Sequence, residues 1–337
     1  MDRLGDKLKE HFQRLIKEKQ ITGARYCIYK GHSLAAKGEL GMTDPYVDIQ
    51  SITKWFTAAA ILQLQEKGKI FLDDPVAKYI PDLAEPPFST IRVRHLLTHT
   101  SGLAALQDAF PERDLDWEAG LSAENAGTIW IQEILRKGMF FTPGTRWEYS
   151  KAGFCILGEI ISRITGQRAE EYMQKNILIP CGMEKSHWKG GDAVQCVIPQ
   201  TAAGLFTPIG ELAQFGQMLA NGGIYNGRTL LGEESLKAME TNQLRDDMRD
   251  FCWDHGGKRV AYGAGCSVCV SGYEPQWKVG DGTMYHEGAG ASMLFVNREQ
   301  GLAGAWSTPF CDKENWQEEA VKGTAAVVWE CLCSPCG

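Results

Sequence analysis

Segments that read as β-strands lie near the two ends of this 337-residue chain, and helix patterns fill the span between them. Arg25 to Lys30 and Ser33 to Leu40 predict a hairpin around the turn Gly31-His32. Four more strands are expected late, at Arg259 to Val270, Gly282 to Glu287, Ala291 to Asn297 and Leu302 to Ser307. Between about 50 and 250 the apolar spacing is helical, over 52–67, 91–99, 125–137, 152–165, 168–175, 209–221 and 233–241. Pro86-Pro87, Pro143-Gly144 and Asn221-Gly222-Gly223 punctuate that region. This order predicts one sheet assembled from both termini, with the middle as an inserted helical lobe. Short connections between the late strands favour antiparallel pairing. Helices at 2–19, with Leu4, Leu8, Phe12, Leu15 and Ile16 on one face, and at about 314–332 would cover the sheet.

The expected fold class is therefore α/β of the α+β kind: an antiparallel sheet flanked by terminal helices plus an inserted all-helical lobe. Residues 1–49 and 255–337 would form the sheet lobe and 50–254 the helical lobe, with a site at their seam, where clefts favour small molecules. The length suits two lobes, and 44% hydrophobic with 23% charged residues is a globular balance. Lys plus Arg number 35 against 42 Asp plus Glu, a formal charge of −7, which gives no attraction for nucleic acid or anionic membrane. No stretch approaches the roughly 20 apolar residues of a membrane span. The charged start Met1-Asp-Arg-Leu-Gly-Asp lacks the apolar core of a signal peptide, so the expected location is cytoplasmic. Oligomeric state is not readable.

Eleven cysteines, an odd count, argue against a disulfide framework in an unsecreted chain. Cys266 and Cys269 fall on an expected strand, where residues three apart face opposite ways and cannot easily share an ion. Cys331, Cys333 and Cys336 form a better ligand set but need a fourth partner. The expectation is buried or idle thiols and no metal; a metal or redox protein would rest on that tail triplet alone.

Chemistry is suggested by Ser51-Ile-Thr-Lys54. On a helix the two side chains lie one turn apart on the same face, and a serine nucleophile needs a base beside it. The run that follows, Trp55-Phe-Thr-Ala-Ala-Ala-Ile-Leu62, is apolar on nearly every face, as a helix buried between lobes must be. A lysine there is desolvated, and acting as a base near neutrality requires about 4 kcal/mol of bias toward the neutral amine. The bland alternative is that Lys54 snorkels to solvent and Ser51 merely caps the helix. Ser186-His-Trp-Lys189 has the same spacing but runs into Gly190-Gly191 and reads as a turn. Two other segments belong to this set. Phe141-Thr-Pro-Gly-Thr-Arg-Trp-Glu-Tyr149-Ser-Lys151 runs from a Pro-Gly turn to a helix start, and His286-Glu-Gly288-Ala-Gly-Ala ends a strand with small residues that let a substrate approach the backbone.

In order and wording these motifs resemble the serine β-lactamase and penicillin-binding protein superfamily, and most the branch holding class C β-lactamases, family VIII carboxylesterases and D-amino-acid peptidases. Leu96-Leu-Thr-His-Thr-Ser-Gly-Leu103, Leu72-Asp-Asp-Pro-Val-Ala-Lys-Tyr-Ile-Pro81 and Gly204-Leu-Phe through Asn221-Gly-Gly are similar to that branch too, so the resemblance covers nearly the whole chain. No Gly-x-Ser-x-Gly elbow occurs, so an α/β-hydrolase lacks its nucleophile. The resemblance implies a β-lactamase/transpeptidase-like fold, Ser51 as nucleophile, Lys54 as its activator, Tyr149 as a phenolate-type base that also protonates the leaving group, and the backbone N–H groups of Ser51 and Ala289 as oxyanion hole. It implies acyl transfer through an acyl-enzyme, with no cofactor.

Departures from the pattern shape the substrate expectation. The Tyr-x-Asn of true β-lactamases reads Tyr149-Ser150-Lys151, and Lys-Thr-Gly reads His286-Glu287-Gly288, which exchanges a fixed positive charge for a titratable one. These weaken a β-lactamase reading and favour an esterase, amidase or transacylase on a small ester or amide. A D-amino-acid peptidase, a true β-lactamase and a non-catalytic binding relative are the alternatives. Lys151 at ~6 Å from Lys54 would exert roughly 2.8 kcal/mol of repulsion at an effective dielectric of about 20; otherwise it binds a substrate carboxylate or points to solvent. His286 either orients substrate or packs. Trp147 and the aromatics Trp55, Tyr273 and Trp277 either line an acyl pocket or belong to the core. His99 is read as structural, at the end of the helix 91–99.

Overall fold

The computed structural model describes residues 2–103, 126–189, 198–250, 257–273, 275, 277–289, 291–310 and 316–333. Helix α1 (Asp2–Lys17) is followed by β1 (Ala24–Lys30) and β2 (Ser33–Leu40), and the late strands are β3 (Ser267–Val268), β4 (Met284–Gly288), β5 (Ser292–Asn297) and β6 (Leu302–Ser307). They form one antiparallel sheet in the order β2-β1-β6-β5-β4-β3. The first strand thus pairs with the last, Cys27 opposite Ala305. Both ends of the chain are locked into the same ladder.

Strand alternation divides the core. Tyr26, Ile28, Phe295 and Trp306 face α1 and the C-terminal helix α5 (Thr324–Leu332), which a wider helical turn, Trp316–Gly323, introduces. Leu8, Phe12 and Leu15 fill that layer, and Trp306 Nε1 donates to Ala320 O at 3.0 Å. Cys27, Leu294, Val296 and Ala305 face the other way, onto helices of the middle region. Those include α2 (Thr53–Glu66), α3 (Lys151–Thr165) and α4 (Ile209–Ala220). Although α4 falls in the helix-rich span, it packs on the sheet, against β1, β5 and β6. From Thr53 to Leu64 every residue of α2 is buried, because sheet-side and helical elements enclose it on all sides. Phe56 stacks on Phe215 of α4 at 4.0 Å.

Two expected elements are shorter than their sequence pattern. Of Arg259 to Val270 only Ser267–Val268 is a strand. The rest turns back on itself: Gly263 N–H donates to Cys266 O at 2.8 Å and Val268 N–H to Ala261 O at 3.2 Å, around Gly265 at φ 84°, where a Cβ would strike the Ala58 side chain of α2. The helix expected over 91–99 is Val93–Leu97, and the chain leaves it through His99 at φ 57°. Among the described residues no helix is long and apolar enough to cross a membrane.

Candidate active site

Ser51 sits in a single 3-10 turn, Gln50–Ile52, that feeds directly into α2. The turn is held from both sides. Asp48 accepts the Gln50 backbone N–H at 3.1 Å and also the Gln50 side-chain amide, while Gln50 itself is at φ 44°, a left-handed conformation uncommon outside glycine. Ile52 is the residue capping α2, with no side-chain cap, so Ser51 is not a helix cap. Its hydroxyl stays half-buried, and Lys54 Nζ lies 3.2 Å from Ser51 Oγ.

Lys54 does not snorkel. It is 0% exposed, and Nζ donates to the carbonyl oxygen of Ala202 at 2.7 Å. The strip that supplies this carbonyl is fastened to α2 by its own bonds: Thr57 Oγ1 donates to Thr201 O at 2.8 Å, and Leu205 N–H to Thr53 Oγ1 at 3.3 Å. The Tyr149 and Phe154 rings stand 4.8 and 5.7 Å from the amine. Burial, first, and the charge of Lys151, second, push the Lys54 amine well below the usual lysine range. A neutral amine accepts the Ser51 O–H while one of its own N–H groups holds Ala202.

Tyr149 precedes α3 by two residues, and the intervening Ser150 is the helix N-cap, its Oγ accepting from Gly153 N–H at 3.2 Å. The phenol hydrogen-bonds Ser51 and is buried at 6% exposure. Burial raises it well above the ordinary tyrosine value, the Glu287 charge adds to this, and the Ser51 bond opposes it. The group expected as a phenolate-type base is therefore a neutral phenol at rest. A phenol can pass a proton on, and the base in reach of Ser51 is Lys54.

A residue that sequence reading placed in a structural role holds Tyr149 in place. His99 accepts the Ser150 N–H on Nδ1 at 3.0 Å, and its carbonyl oxygen accepts Glu148 N–H at 2.9 Å, so it clamps the backbone on both sides of Tyr149. Its ring lies 4.2 Å from the Tyr149 ring. It is 1% exposed and driven well below the usual histidine range by burial and by Lys54, hence neutral. Its presence in Leu96-Leu-Thr-His-Thr-Ser-Gly was the signal available. Ala202, the carbonyl on Lys54, carried none.

On the other side of Ser51 stands β4. It packs against the Gln50–Ile52 turn, and Gly288 makes the approach possible: a Cβ there would collide with Ile49 O and Ser292 Oγ. Ala289 follows at once and is exposed. His286 is buried, with Nδ1 2.9 Å from Glu287 O and its ring 6.4 Å from that of Tyr149. The titratable charge expected here is corrected by the structure: burial and Lys54 drive His286 down to about 3, so it is neutral in the physiological range.

A family model described as Beta-lactamase matches residues 8–309. The chain belongs to the beta-lactamase family. "Penicillin-binding protein 4*" of Bacillus subtilis is 30% identical over 146 residues, 43% of this chain and 31% of that protein, and "Esterase EstB" of Burkholderia gladioli is 24% identical over 224 residues, 58% of this chain and 54% of that protein. The match to each thus spans about a third to a half of the relative's length. Among solved structures, "EstCE1, a hydrolase with promiscuous acyltransferase activity" superposes with a TM-score of 0.78 at 15% identity, covering 96% of this chain and 98% of that one. A D-stereospecific amidohydrolase from Streptomyces gives 0.69 at 20% identity, covering 98% and 99%. A "putative beta-lactamase from Bacteroides dorei", with a TM-score of 0.75 at 22% identity over 95% of this chain and 97% of that one, shares the same fold, which is β-lactamase/transpeptidase-like.

In this beta-lactamase-family site the remaining expected residues divide. Trp147 is buried against His99, Tyr149 and Tyr262, with ring centroids at 5.8, 6.3 and 5.8 Å, and forms a wall beside the phenol. Lys151, half-buried in the first turn of α3, is close enough to act on Lys54. Trp55 is core, its Nε1 on Met239 Sδ at 3.4 Å, and Trp277 packs on Tyr285. Tyr273 reaches Asp246 at 2.9 Å. Ser186 bonds Thr207 and Glu211 and precedes a short strand, His187–Trp188, so its lysine is not on a shared helix face. Cys27, Cys155, Cys181, Cys266 and Cys269 are free and buried; Cys331 and Cys333 are half-buried, and Cys336 lies outside the described residues. Among the described residues no cluster of three His, Cys, Asp or Glu side chains is placed to hold a metal.

Proposed function

We propose that this chain is a serine hydrolase that cleaves a small ester or amide through an acyl-enzyme on Ser51. The observation that carries the reading is Lys54: a fully buried amine 3.2 Å from the serine hydroxyl, kept neutral by burial and a second cation. Lys54 takes the Ser51 proton as Oγ attacks the carbonyl carbon. Negative charge on the carbonyl oxygen is met by the backbone N–H groups of Ser51 and Ala289. Tyr149, as a phenol, gives its proton to the departing alcohol or amine and recovers one from the ammonium of Lys54. In the second half the same pair takes a proton from a water as its oxygen attacks the acyl carbon, and returns it to Ser51 Oγ as the acyl–oxygen bond breaks and the acid leaves.

Trp147 gives the Tyr149 phenol an apolar wall, Gly288 lets the substrate lie along β4, and Lys151 tunes Lys54. Nothing in this cycle calls on a cofactor. A binding module would gain nothing from a neutral lysine buried against a serine, which is the argument for catalysis over a non-catalytic role. The family's esterase relative supports an ester substrate. The test is turnover of p-nitrophenyl acetate and butyrate, a chromogenic cephalosporin and a D-alanyl-D-alanine peptide by wild type and Ser51→Ala. Ester hydrolysis lost in the variant supports the reading; equal rates in both proteins refute it.

A further inference from the structure

We infer that His286 is a hydrogen-bond acceptor that selects substrates whose leaving group carries an uncharged N–H or O–H donor; the inference rests on the serine mechanism proposed above. The argument begins with the tautomer. Nδ1 of His286 faces the Glu287 carbonyl oxygen at 2.9 Å, and a carbonyl only accepts, so Nδ1 bears the hydrogen. In the neutral ring Nε2 then keeps its lone pair. Nε2 is buried and has no hydrogen-bond partner among the described residues. A buried acceptor without a partner is a cost that a native site rarely carries for nothing, and a ligand donor would remove it.

Position says which part of a ligand. The ring neighbours Tyr149, whose phenol serves the leaving group, and it lies on β4, the strand packed against the turn of Ser51. The walls nearby are aromatic: Trp147, Tyr149 and Tyr262. Burial keeps the imidazole from becoming a cation that would welcome a carboxylate. An amide N–H or a hydroxyl would pair with Nε2, a carboxylate would face a lone pair, and an ester carbonyl would leave the acceptor unpaired. Sites built around one such bond discriminate strongly against analogues lacking the donor.

The test uses three acetate esters with matched leaving groups, 3-hydroxybenzamide, methyl 3-hydroxybenzoate and 3-hydroxybenzoic acid, each enzymatic rate divided by that ester's spontaneous hydrolysis. Wild type should favour the carboxamide over the methyl ester about tenfold in kcat/KM, with the acid slowest. In His286→Phe the ratio of carboxamide to methyl ester should fall to within about twofold. Nitrogen-15 spectra of histidine-labelled wild type give a second reading that needs no variant: His286 Nε2 should resonate as an unprotonated ring nitrogen across about pH 5 to 9. Equal turnover of the two neutral esters by wild type, a preference that survives in His286→Phe, or a protonated Nε2 overturns the inference while leaving Ser51 chemistry standing. A wild-type protein that a fluorophosphonate does not label at Ser51 overturns the serine reading, and this inference with it.

Discussion

Lys54→Met removes one nitrogen from the centre of the protein and changes side-chain volume little. Lys54 is 0% exposed, and its amine is pushed down by burial and by Lys151. Holding a lysine neutral at pH 7, against about 10.4 in the unfolded chain, costs about 4–5 kcal/mol. Its bonds to Ser51 and Ala202 offset about 1–3 kcal/mol of that. The methionine variant should therefore be more stable than wild type by about 2–3 kcal/mol at pH 7, while hydrolysis falls by about 10²–10⁴. The pH dependence has a definite sign. Lys54 titrates lower in the folded than in the unfolded protein, so between the two values the unfolded chain binds the extra proton and wild-type stability climbs with pH. The variant lacks this contribution, so its advantage should shrink by about 1.4 kcal/mol per pH unit from pH 7, vanish near about pH 9 and reverse above it. Urea unfolding of both proteins by tryptophan fluorescence across that range measures the difference directly. A variant less stable than wild type at pH 7, or a difference that does not change with pH, refutes the neutral buried amine.

Tyr149→Phe keeps the ring beside His99 and Lys54 but loses the hydroxyl, so kcat should drop by about 10²–10⁴ with stability within about 1 kcal/mol of wild type, as read by ester turnover and urea melts. Lys151→Met removes the second influence that lowers Lys54, so Lys54 rises and the acid limb of kcat/KM moves to higher pH; an unmoved limb would separate the two lysines. Gly288→Ala sets a methyl against Ile49 O and Ser292 Oγ. Pushing β4 from the Ser51 turn should cost about 1–3 kcal/mol in urea melts and slow hydrolysis more than tenfold.

Local pattern carried most of the architecture. The near-continuous apolar runs of β1, β5 and β6, the amphipathic α1 and the all-round apolarity of α2 each report how an element is buried, so a sheet built from both termini is legible in the sequence. The Ser51 and Lys54 spacing was readable for the same reason, because a helix turn sets it. What escaped depends on residues far apart in sequence. The segment expected as a long strand, Arg259 to Val270, turns back on itself at Gly265, which lies against Ala58 of α2. Tyr149 reads as a phenolate from its motif, but its ionisation is set by the burial that surrounds it. His286 reads as a titratable charge, but the burial that surrounds it holds it neutral. His99 clamps a segment some fifty residues later, through a bond to Ser150 that no periodicity encodes.

The most direct test of the account is the mass of the covalent adduct formed with a fluorophosphonate, followed by mapping of the modified peptide. Wild type should gain a single adduct on the peptide containing Ser51, labelling faster as pH rises through the Lys54 titration, and Ser51→Ala should gain none. An adduct on another residue, or labelling of Ser51→Ala at the wild-type rate, would contradict the claim that Ser51, activated by Lys54, is the nucleophile.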